Sequence, residues 1–339
     1  MKRLLTLGLL LASGFSFGQQ LPQYTQYHRN QILVNPAATG AYDFLDITVG
    51  GRYQWLGLSN DAQGNVAPRT AYLYAANVLK NEKVRYNPAL RISNGPIRNP
   101  GKGTGKLKHA LGLQVVADEY GAFQNLQFAG MYAIHVPLSK EVNMSFGAKL
   151  GLSNHSFLND KAQVLSMMQS TGADAAYDNF ISNGLSRMYM DLGAGFYIYS
   201  NKFFLGVSSD QLTTDLVSLG SGTTNFMPEM HFTVTGGYKF ELNDEWTLQP
   251  SAIVKLMPPA PISLDGTLQA EYKEWLWFGT SYRYNMSRIG TSANAITGML
   301  GANISQRFKI GYSYDYSLGG FQSYATGGGH ELMLGFMIR

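Results

Sequence analysis

The sequence predicts an all-β fold, a single transmembrane antiparallel β-barrel of about 14 strands with short periplasmic turns and longer outer loops. Three observations lead to this prediction: alternating hydrophobicity, segments long enough to cross a bilayer as strands, and connections whose lengths alternate along the chain. The composition agrees with it, because only 14% of the 339 residues are charged while 38 are Gly and 21 are Tyr. The absence of Cys excludes disulfide scaffolds and cysteine-based metal or redox sites.

Apolar side chains alternate with small or polar ones over long stretches. From Val142 to Leu152 every second residue is apolar, and the residues between them are Asn, Ser, Gly or Lys. A period of two indicates a half-buried strand, and about nine to eleven residues is the length with which a tilted strand crosses a bilayer. The segments of this kind are 45–55, 69–77, 109–118, 126–136, 142–152, 188–199, 203–209, 230–240, 246–256, 266–274, 276–284, 296–304, 308–316 and 330–339.

The lengths of the connections support the same fold. If the first strand starts in the periplasm, the connections 137–141, 200–202 and 305–307 lie on the periplasmic side, and all of them are short. Connections of the opposite parity, such as 119–125 and 153–187, are predicted to be outer loops, and most of them are longer. This difference is typical of outer-membrane barrels, whereas a soluble propeller would repeat with a period of about 40–50 residues.

The segment 78–108 is a long exception on the predicted periplasmic side. It contains a single acidic residue, Glu82, and its Pro and Gly content argues against a helix. We interpret it either as a solvated insertion or as a contact for an acidic periplasmic partner or surface. Its basic residues are Lys80, Lys83, Arg85, Arg91, Arg98, Lys102, Lys106 and Lys108.

The first eighteen residues have the features of a signal peptide. Lys2 and Arg3 precede a short apolar run, and Ser16-Phe17-Gly18 places small residues at the positions that signal peptidase reads. The sequence therefore predicts a signal peptide at 1–18 and export of the remaining chain.

Residues 19–44 precede the first strand and are predicted to form an N-terminal periplasmic or plug segment, with the barrel following at 45–339. Fourteen strands enclose a lumen too wide for wall side chains alone to fill. We therefore expect this segment to fold into the periplasmic mouth, with Gln26 and Asn35 hydrogen-bonded to the wall. A flexible leader is the alternative.

Paired aromatic residues lie near the predicted strand ends, where rings with a polar tip form girdles at the two membrane surfaces. A carbohydrate-binding shelf is the alternative interpretation. The residues assigned to the girdles are Tyr53, Trp55, Tyr72, Tyr74, Tyr197, Tyr199, Trp246, Trp275, Trp277, Tyr282 and Tyr284.

Motifs of catalysis are lacking in the sequence. It has neither a G-x-S-x-G nucleophile elbow nor an H-E-x-x-H zinc motif. His155, next to Ser153 and Ser156, is the candidate for a barrel hydrolase, and we expect its mutation to have no effect. No catalytic residue, metal site or cofactor is predicted.

Segments at both ends of the chain are similar to a known family. Leu21-Pro-Gln-Tyr-Thr-Gln-Tyr27, Asn35-Pro-Ala-Ala-Thr-Gly40 and Arg52-Tyr-Gln-Trp55 stand near the N-terminus. Gly311-Tyr-Ser-Tyr-Asp-Tyr-Ser317 and Gly327-Gly-Gly-His-Glu-Leu-Met-Leu334 stand near the C-terminus. Taken in this order, they resemble the PorP/SprF family of type IX secretion system outer-membrane proteins from Bacteroidetes.

The resemblance implies an outer-membrane barrel without enzymatic activity that serves secretion and gliding-motility machinery. It implies that the protein assists the export or surface anchoring of a large adhesin-like cargo with a C-terminal type IX secretion domain. Other expected partners are periplasmic secretion or peptidoglycan-linked components and outer-membrane lipid, and no nucleic acid is expected. An outer-membrane diffusion or uptake channel is the alternative, and it requires a continuous polar lumen.

The candidate site combines the plug segment with the motifs that carry the resemblance. His330 and Glu331 open the last predicted strand, where a structural role competes with a binding role. The residues assigned to the plug or to partner binding are Gln26, Asn35, Pro36, Gly40, Arg52, Trp55, His330 and Glu331.

Overall fold

A computed structural model of the protein describes residues 22–42, 44–57, 67–79, 107–139, 141–162, 175–182, 186–213, 218–219, 229–257, 260–287, 290–291, 295–305, 307–318 and 327–338. The predicted signal peptide at 1–18 and most of the basic segment 78–108 lie outside these ranges.

Fourteen long strands occur in the described part of the chain. They are β1 (Leu45–Gln54), β2 (Arg69–Leu79), β3 (Lys108–Tyr120), β4 (Phe123–Pro137), β5 (Asn143–Phe157), β6 (Ser186–Tyr199), β7 (Phe203–Asp210), β8 (His231–Tyr238), β9 (Trp246–Leu256), β10 (Ile262–Tyr272), β11 (Leu276–Ser287), β12 (Ala295–Ser305), β13 (Phe308–Ser317) and β14 (Gly329–Ile338). Two-residue strands at Ser218–Leu219, Phe240–Glu241 and Gly290–Thr291 pair with β6, β9 and β11.

Helical structure is short in the described ranges. The helix α1 spans Ala175–Ser182 in the connection between β5 and β6. Single 3-10 turns span Gln31–Leu33, Pro36–Ala38 and Asn159–Lys161. Among the described residues, no helix combines the length and the hydrophobicity that a bilayer crossing requires.

The sheet closes on itself. Each long strand pairs antiparallel with the next, and β1 also pairs with β14 from Leu45 opposite Ile338 to Gln54 opposite Gly329. Closure leaves no open edge, so every strand has a partner for its backbone hydrogen bonds on both sides. The predicted antiparallel barrel of about 14 strands is therefore confirmed.

The apolar side of each strand faces outward. Leu111, Leu113, Phe128 and Leu150 are about half exposed, whereas alternate positions such as Lys149 are buried. The outer surface is thus a band of apolar side chains, and the charged and polar side chains of the strands face the lumen. This arrangement is the reverse of a soluble barrel and suits a barrel surrounded by lipid.

The predicted outer loop 119–125 is wrong. β3 and β4 continue almost to each other and are joined at Gly121 and Ala122, with Gly121 at a φ of +58°. The extended pairing runs through polar residues, such as Asp118 opposite Asn125. Because these positions no longer alternate between apolar and polar, the alternation rule does not predict that the strands continue. β5 likewise extends to Phe157, beyond the predicted end at 152.

The interior of the barrel is filled by residues 22–42, which we call the lumenal segment. Every residue from Tyr24 to Gly40 is buried. The largest cluster of buried apolar side chains joins this segment to the inner wall, with Tyr27 and Ile32 packed among wall residues such as Tyr74 and Phe204. The core of the protein therefore lies in the lumen.

Candidate functional site in the barrel lumen

The lumenal segment is held by local turns and by the barrel wall. Its backbone makes short-range hydrogen bonds, such as Arg29 N–H to Gln26 O at 3.0 Å. At the Asn35-Pro36 turn, Asn35 Oδ1 accepts the N–H of Ala37 at 2.9 Å, and Pro36 begins a 3-10 turn. Asn before Pro is a favoured start for such a turn, because the side chain satisfies a free N–H and Pro has none to satisfy.

The first part of the segment is bound to β14 and β13. The N–H of Thr25 donates to Glu331 Oε2 at 2.7 Å, and the N–H of Gln26 lies 3.4 Å from Glu331 Oε1. The Thr25 hydroxyl donates to Asp315 Oδ1 at 3.2 Å and accepts from Arg52. Two consecutive residues of the segment therefore contact three ionisable residues of the wall.

These contacts belong to a buried network that we call the arginine cluster, made of Arg52, Asp265, Arg283, Asp315 and Glu331. Arg52 pairs with Asp315, and its Nη1 lies 3.5 Å from Glu331 Oε2. Arg283 Nε donates to both oxygens of Asp265 at 3.0 Å, and its Nη1 lies 3.4 Å from Asp315 Oδ2. The cluster joins β1, β10, β11, β13 and β14 across the closure of the barrel.

The middle of the segment contacts β10 and β11. His28 Nε2 is 2.7 Å from Gln269 Oε1, and Arg29 Nη2 is 3.7 Å from Glu271 Oε2. The Arg29 guanidinium also lies over the ring of Trp277, 4.0 Å from its centroid. Arg29 thus has both an ion-pair and a cation–π partner inside the barrel.

Burial changes the ionisation of both residues. It lowers the pKa of His28 to about 3, with a further contribution from the neighbouring Arg29. Burial also lowers the pKa of Arg29 to about 10, which Glu271 partly offsets. At neutral pH, His28 is therefore uncharged and Arg29 is charged.

The last part of the segment crosses to the opposite wall. The amide of Asn35 donates to Phe196 O at 3.0 Å, and the Ser208 hydroxyl donates to Val34 O at 2.5 Å. The Ser145 hydroxyl donates to Ala37 O at 2.6 Å. β5, β6 and β7 therefore hold this part through backbone carbonyls and a single amide side chain.

The chain leaves the lumen beside β4. His135 Nε2 is 2.8 Å from Thr39 O, and its Nδ1 is 2.8 Å from the Tyr199 hydroxyl. With Nε2 protonated, His135 donates to Thr39 and accepts from Tyr199, so both ring nitrogens are satisfied. This buried histidine fixes the end of the segment.

Two glycines allow the close approach of segment and wall. Gly40 has a φ of +75°, and a Cβ there would lie 2.1 Å from the Cβ of Ala110. A Cβ on Gly147 would lie 2.3 Å from the backbone N of Ala37. No L side chain fits at either position unless the backbone moves.

Most of the predicted site residues meet in the lumen. Asn35, Pro36 and Gly40 lie on the segment, and Arg52 and Glu331 lie on the wall that holds it. The segment extends from the arginine cluster to the start of β1 and is therefore more than a stopper at one mouth.

Gln26 bonds differently from the expectation. Its backbone N–H reaches Glu331, whereas both polar atoms of its buried side chain lack a hydrogen-bond partner in the described part of the protein. The expected side-chain bond to the wall is therefore wrong.

Trp55 and His330 lie apart from the segment. The N–H of Trp55 donates to Gly328 O at 2.7 Å, beside the start of β14. His330 Nδ1 is 2.7 Å from the hydroxyl of Tyr312, an outward-facing residue of β13. Of the eight basic residues of the segment 78–108, Lys108 alone lies in the described ranges, at the start of β3.

Part of the predicted aromatic girdle is wrong. Five of its members face the lumen and are nearly or fully buried: Tyr72, Tyr74, Tyr197, Tyr199 and Trp277. They pack against the segment, as shown by the edge-to-face rings of Tyr24 and Tyr72, whose centroids are 5.4 Å apart. Aromatic side chains fit either a lipid surface or a packed lumen, so residue type alone could not distinguish the two.

Several site residues were missed from the sequence, among them Thr25, Asp265, Arg283 and Asp315. A signal was present for the charged ones, because each lies in a strand that crosses the membrane. Ionisable residues in such segments are uncommon and usually mark a partner or a functional position.

A second buried ionic group lies on β5, β6 and β7. Lys149 Nζ is 3.2 Å from Asp191 Oδ2 and also pairs with Asp210. The N–H of Gln211 donates to Asp191 Oδ1 at 3.1 Å. Within the ranges that the structure describes, no group of three or more His, Asp or Glu side chains is arranged to hold a metal ion.

Solved outer-membrane barrels are similar to this fold. The CymD monoaromatic hydrocarbon channel has a TM-score of 0.51 and 10% identity, with 95% of each chain covered. The TodX deltaS2S3 mutant monoaromatic hydrocarbon channel has a TM-score of 0.50 and 10% identity, covering 90% of this chain and 93% of that one. The toluene transporter TbuX of Ralstonia pickettii has a TM-score of 0.49 and 11% identity, covering 91% and 92%. At these identities the likeness shows the fold alone.

Sequence comparison identifies the family. No curated protein matches the chain significantly. Residues 16–336 match the family described as "Type IX secretion system membrane protein PorP/SprF", which covers nearly the whole chain. The family and the structural neighbours are secretion or channel proteins and not enzymes, and family and fold together indicate the outer membrane. The chain therefore belongs to the PorP/SprF family of type IX secretion system membrane proteins.

Proposed function

We propose that the protein is a non-catalytic outer-membrane component of the type IX secretion and gliding machinery. In this role it assists the export or surface anchoring of a large adhesin-like cargo with a C-terminal secretion domain. We further propose that residues 1–18 are its signal peptide. The observation that carries the proposal is the filled lumen: residues 24–40 are buried between opposite walls of the barrel. The chain also belongs to a family of secretion-system membrane proteins.

A filled lumen favours an anchor over a channel. A diffusion channel needs a continuous polar path, and here the lumenal segment contacts β14 at Thr25, β10 at His28 and β5 at Ala37. These strands lie at different positions around the barrel, so the segment crosses the lumen. The barrel then supplies a rigid support in the membrane while its loops and turns bind other proteins.

The two ends of the barrel are proposed to bind different partners. We place the cargo at the end with the long connections. Periplasmic secretion or peptidoglycan-linked components are placed at the short turns and at the basic segment 78–108, whose charge suits an acidic partner. Deletion of 81–107 tests the latter assignment: reduced capture of periplasmic partners supports it, and unchanged capture and secretion contradict it.

The function is tested by deleting the gene and measuring the proteins of the cell surface by mass spectrometry. We expect a large surface protein to be lost, to be restored by the wild-type gene, and to copurify with the native barrel. Retention of every surface adhesin, together with reduced uptake of small solutes, would instead support the channel alternative.

A double-cysteine variant distinguishes an anchor, in which the lumenal segment stays in place, from a conduit, in which the segment has to move to open the lumen. Because the chain has no native Cys, Val34→Cys with Ser208→Cys introduces a unique pair where the Ser208 hydroxyl meets Val34 O. An anchor keeps its function when this pair is oxidised, since the segment need not move. A conduit loses its function on oxidation and regains it on reduction.

A further inference from the structure

A polar cavity lies between the lumenal segment and the wall, and nothing assigned so far uses it. It has a volume of about 40 Å³. Since a buried water needs about 10–15 Å³ by this measure, the cavity has room for roughly three water-sized groups. Tyr24 and Val34 of the segment form one side, and Lys149, Asp210 and Lys255 lie among the wall residues of the other.

Lys255 on β9 forms no hydrogen bond or ion pair with the described residues. Its Nζ is buried and lacks a hydrogen-bond partner in the described part of the protein. The carboxylates around it are already engaged, because Asp210 pairs with Lys149 and Asp265 accepts two bonds from Arg283. A buried ammonium group without a counter-ion is unfavourable, which indicates that another anion belongs beside it.

Neighbouring polar atoms indicate that water accompanies the anion. Asn125 Oδ1 and Gln211 Oε1, both on residues that line the cavity, are buried without a donor in the described structure. A halide or carboxylate would accept from Lys255, and accompanying water would donate to these amide oxygens. The volume admits such a set and excludes a large ligand.

We propose that this cavity binds a small monovalent anion, of halide or carboxylate size, at Lys255. Because residues of the lumenal segment close the cavity, the bound anion stabilises the segment in its seated position. This coupling rests on the seating of the segment that underlies the proposed function. The anion site itself does not depend on the cargo role, so a protein that binds no anion at Lys255 could still have that role.

The site is tested directly with bromide, which is visible by anomalous scattering. Crystals of the full-length protein grown with bromide are expected to show a peak within hydrogen-bonding distance of Lys255 Nζ. The peak is expected to be absent in Lys255→Met and present in Lys202→Met, which removes the same charge from an exposed turn. A cavity without bromide in the wild type, or a peak that persists in Lys255→Met, overturns the proposal.

A solution measurement tests the coupling even if crystals fail. Gluconate is replaced by chloride or formate at constant ionic strength, and hydrogen exchange is measured at residues 24–34. At ten times the dissociation constant, exchange in the wild type and in Lys202→Met is expected to slow about tenfold. An equal slowing in Lys255→Met contradicts the site, and a similar slowing with sulfate contradicts its selectivity for small anions.

Discussion

Arg52 and Glu331 face each other directly across the β1–β14 pairing that closes the barrel, with Arg52 Nη1 3.5 Å from Glu331 Oε2. Glu331 also accepts the backbone N–H of Thr25 at 2.7 Å. A single carboxylate thus takes part both in the closure of the barrel and in holding the lumenal segment. Closure and filling of the lumen are therefore linked through the same side chain.

Glu331→Gln is expected to weaken both features. The substitution keeps the shape of the side chain but removes its charge, so Arg52 loses one of its two ion-pair partners among the described residues and keeps Asp315. We expect the free energy of unfolding, from urea titration in detergent, to fall by about 1–3 kcal/mol. The control is Glu245→Gln, which breaks the half-exposed Lys273–Glu245 pair and is expected to have no measurable effect. Equal stabilities of the two variants would contradict the role of Glu331.

Gly147→Ala is expected to displace the lumenal segment and leave the barrel intact. The added methyl would overlap the backbone of Ala37. Ala adopts the extended backbone of a strand without strain, so β5 itself is expected to stay folded. Hydrogen exchange at residues 30–40 should therefore rise strongly, while the strands remain protected.

The matched control is Gly266→Ala, where a new Cβ has no neighbour within 4 Å. It should exchange like the wild type. Unchanged exchange in Gly147→Ala would show that the segment is not held against β5.

The strands could be predicted because their physics is local. In Val142–Leu152 one face meets lipid and the other meets the lumen, so the sequence itself alternates. The pairing of β3 and β4 beyond Asp118 was not predictable in this way, since above the membrane both faces meet polar surroundings. Local turn residues such as Gly121 then give the better signal.

The site could be predicted only in part. Asn35-Pro36 and Arg52 stood out as motifs, but the burial of Tyr72 depends on a segment that contacts it from a distant part of the chain. A pattern of alternating residues shows that a strand has two faces and does not show that the lumen is packed. That information exists only in the tertiary structure.

His28 is expected to make the seated segment sensitive to acid. Its pKa is about 3 in the lumen and about 6.5 in an unfolded chain, so the unfolded state binds the extra proton between these values. The contribution of neutral His28 to the free energy of unfolding is therefore fully present above pH 6.5 and is lost progressively as the pH falls toward 3. At pH 5 the loss attributable to His28 is about 2 kcal/mol.

The measurement is the difference in unfolding free energy between pH 7 and pH 5, in the wild type and in His28→Gln. Gln keeps a donor toward Gln269 and does not titrate, so the variant should lose less stability over this range. The same pH dependence in both proteins would show that His28 is not buried in its neutral form.

The oxidised Val34→Cys/Ser208→Cys variant is expected to display cargo at the cell surface at the wild-type level. The physical reason is that an anchor binds its partners at the loops and turns, where the lock changes nothing. Surface proteomics of the complemented deletion strain provides the measurement, with Val34→Cys alone as the control. Loss of display that reducing agent reverses would show that the segment has to move.

The conductance of the intact purified protein in a planar bilayer shows whether the lumen is filled, because a barrel of this size with an empty lumen would pass ions freely. We predict no sustained single-channel current from the wild type and stable open currents from Gly147→Ala. Large, sustained currents from the intact wild-type protein would contradict the filled lumen and favour a diffusion channel.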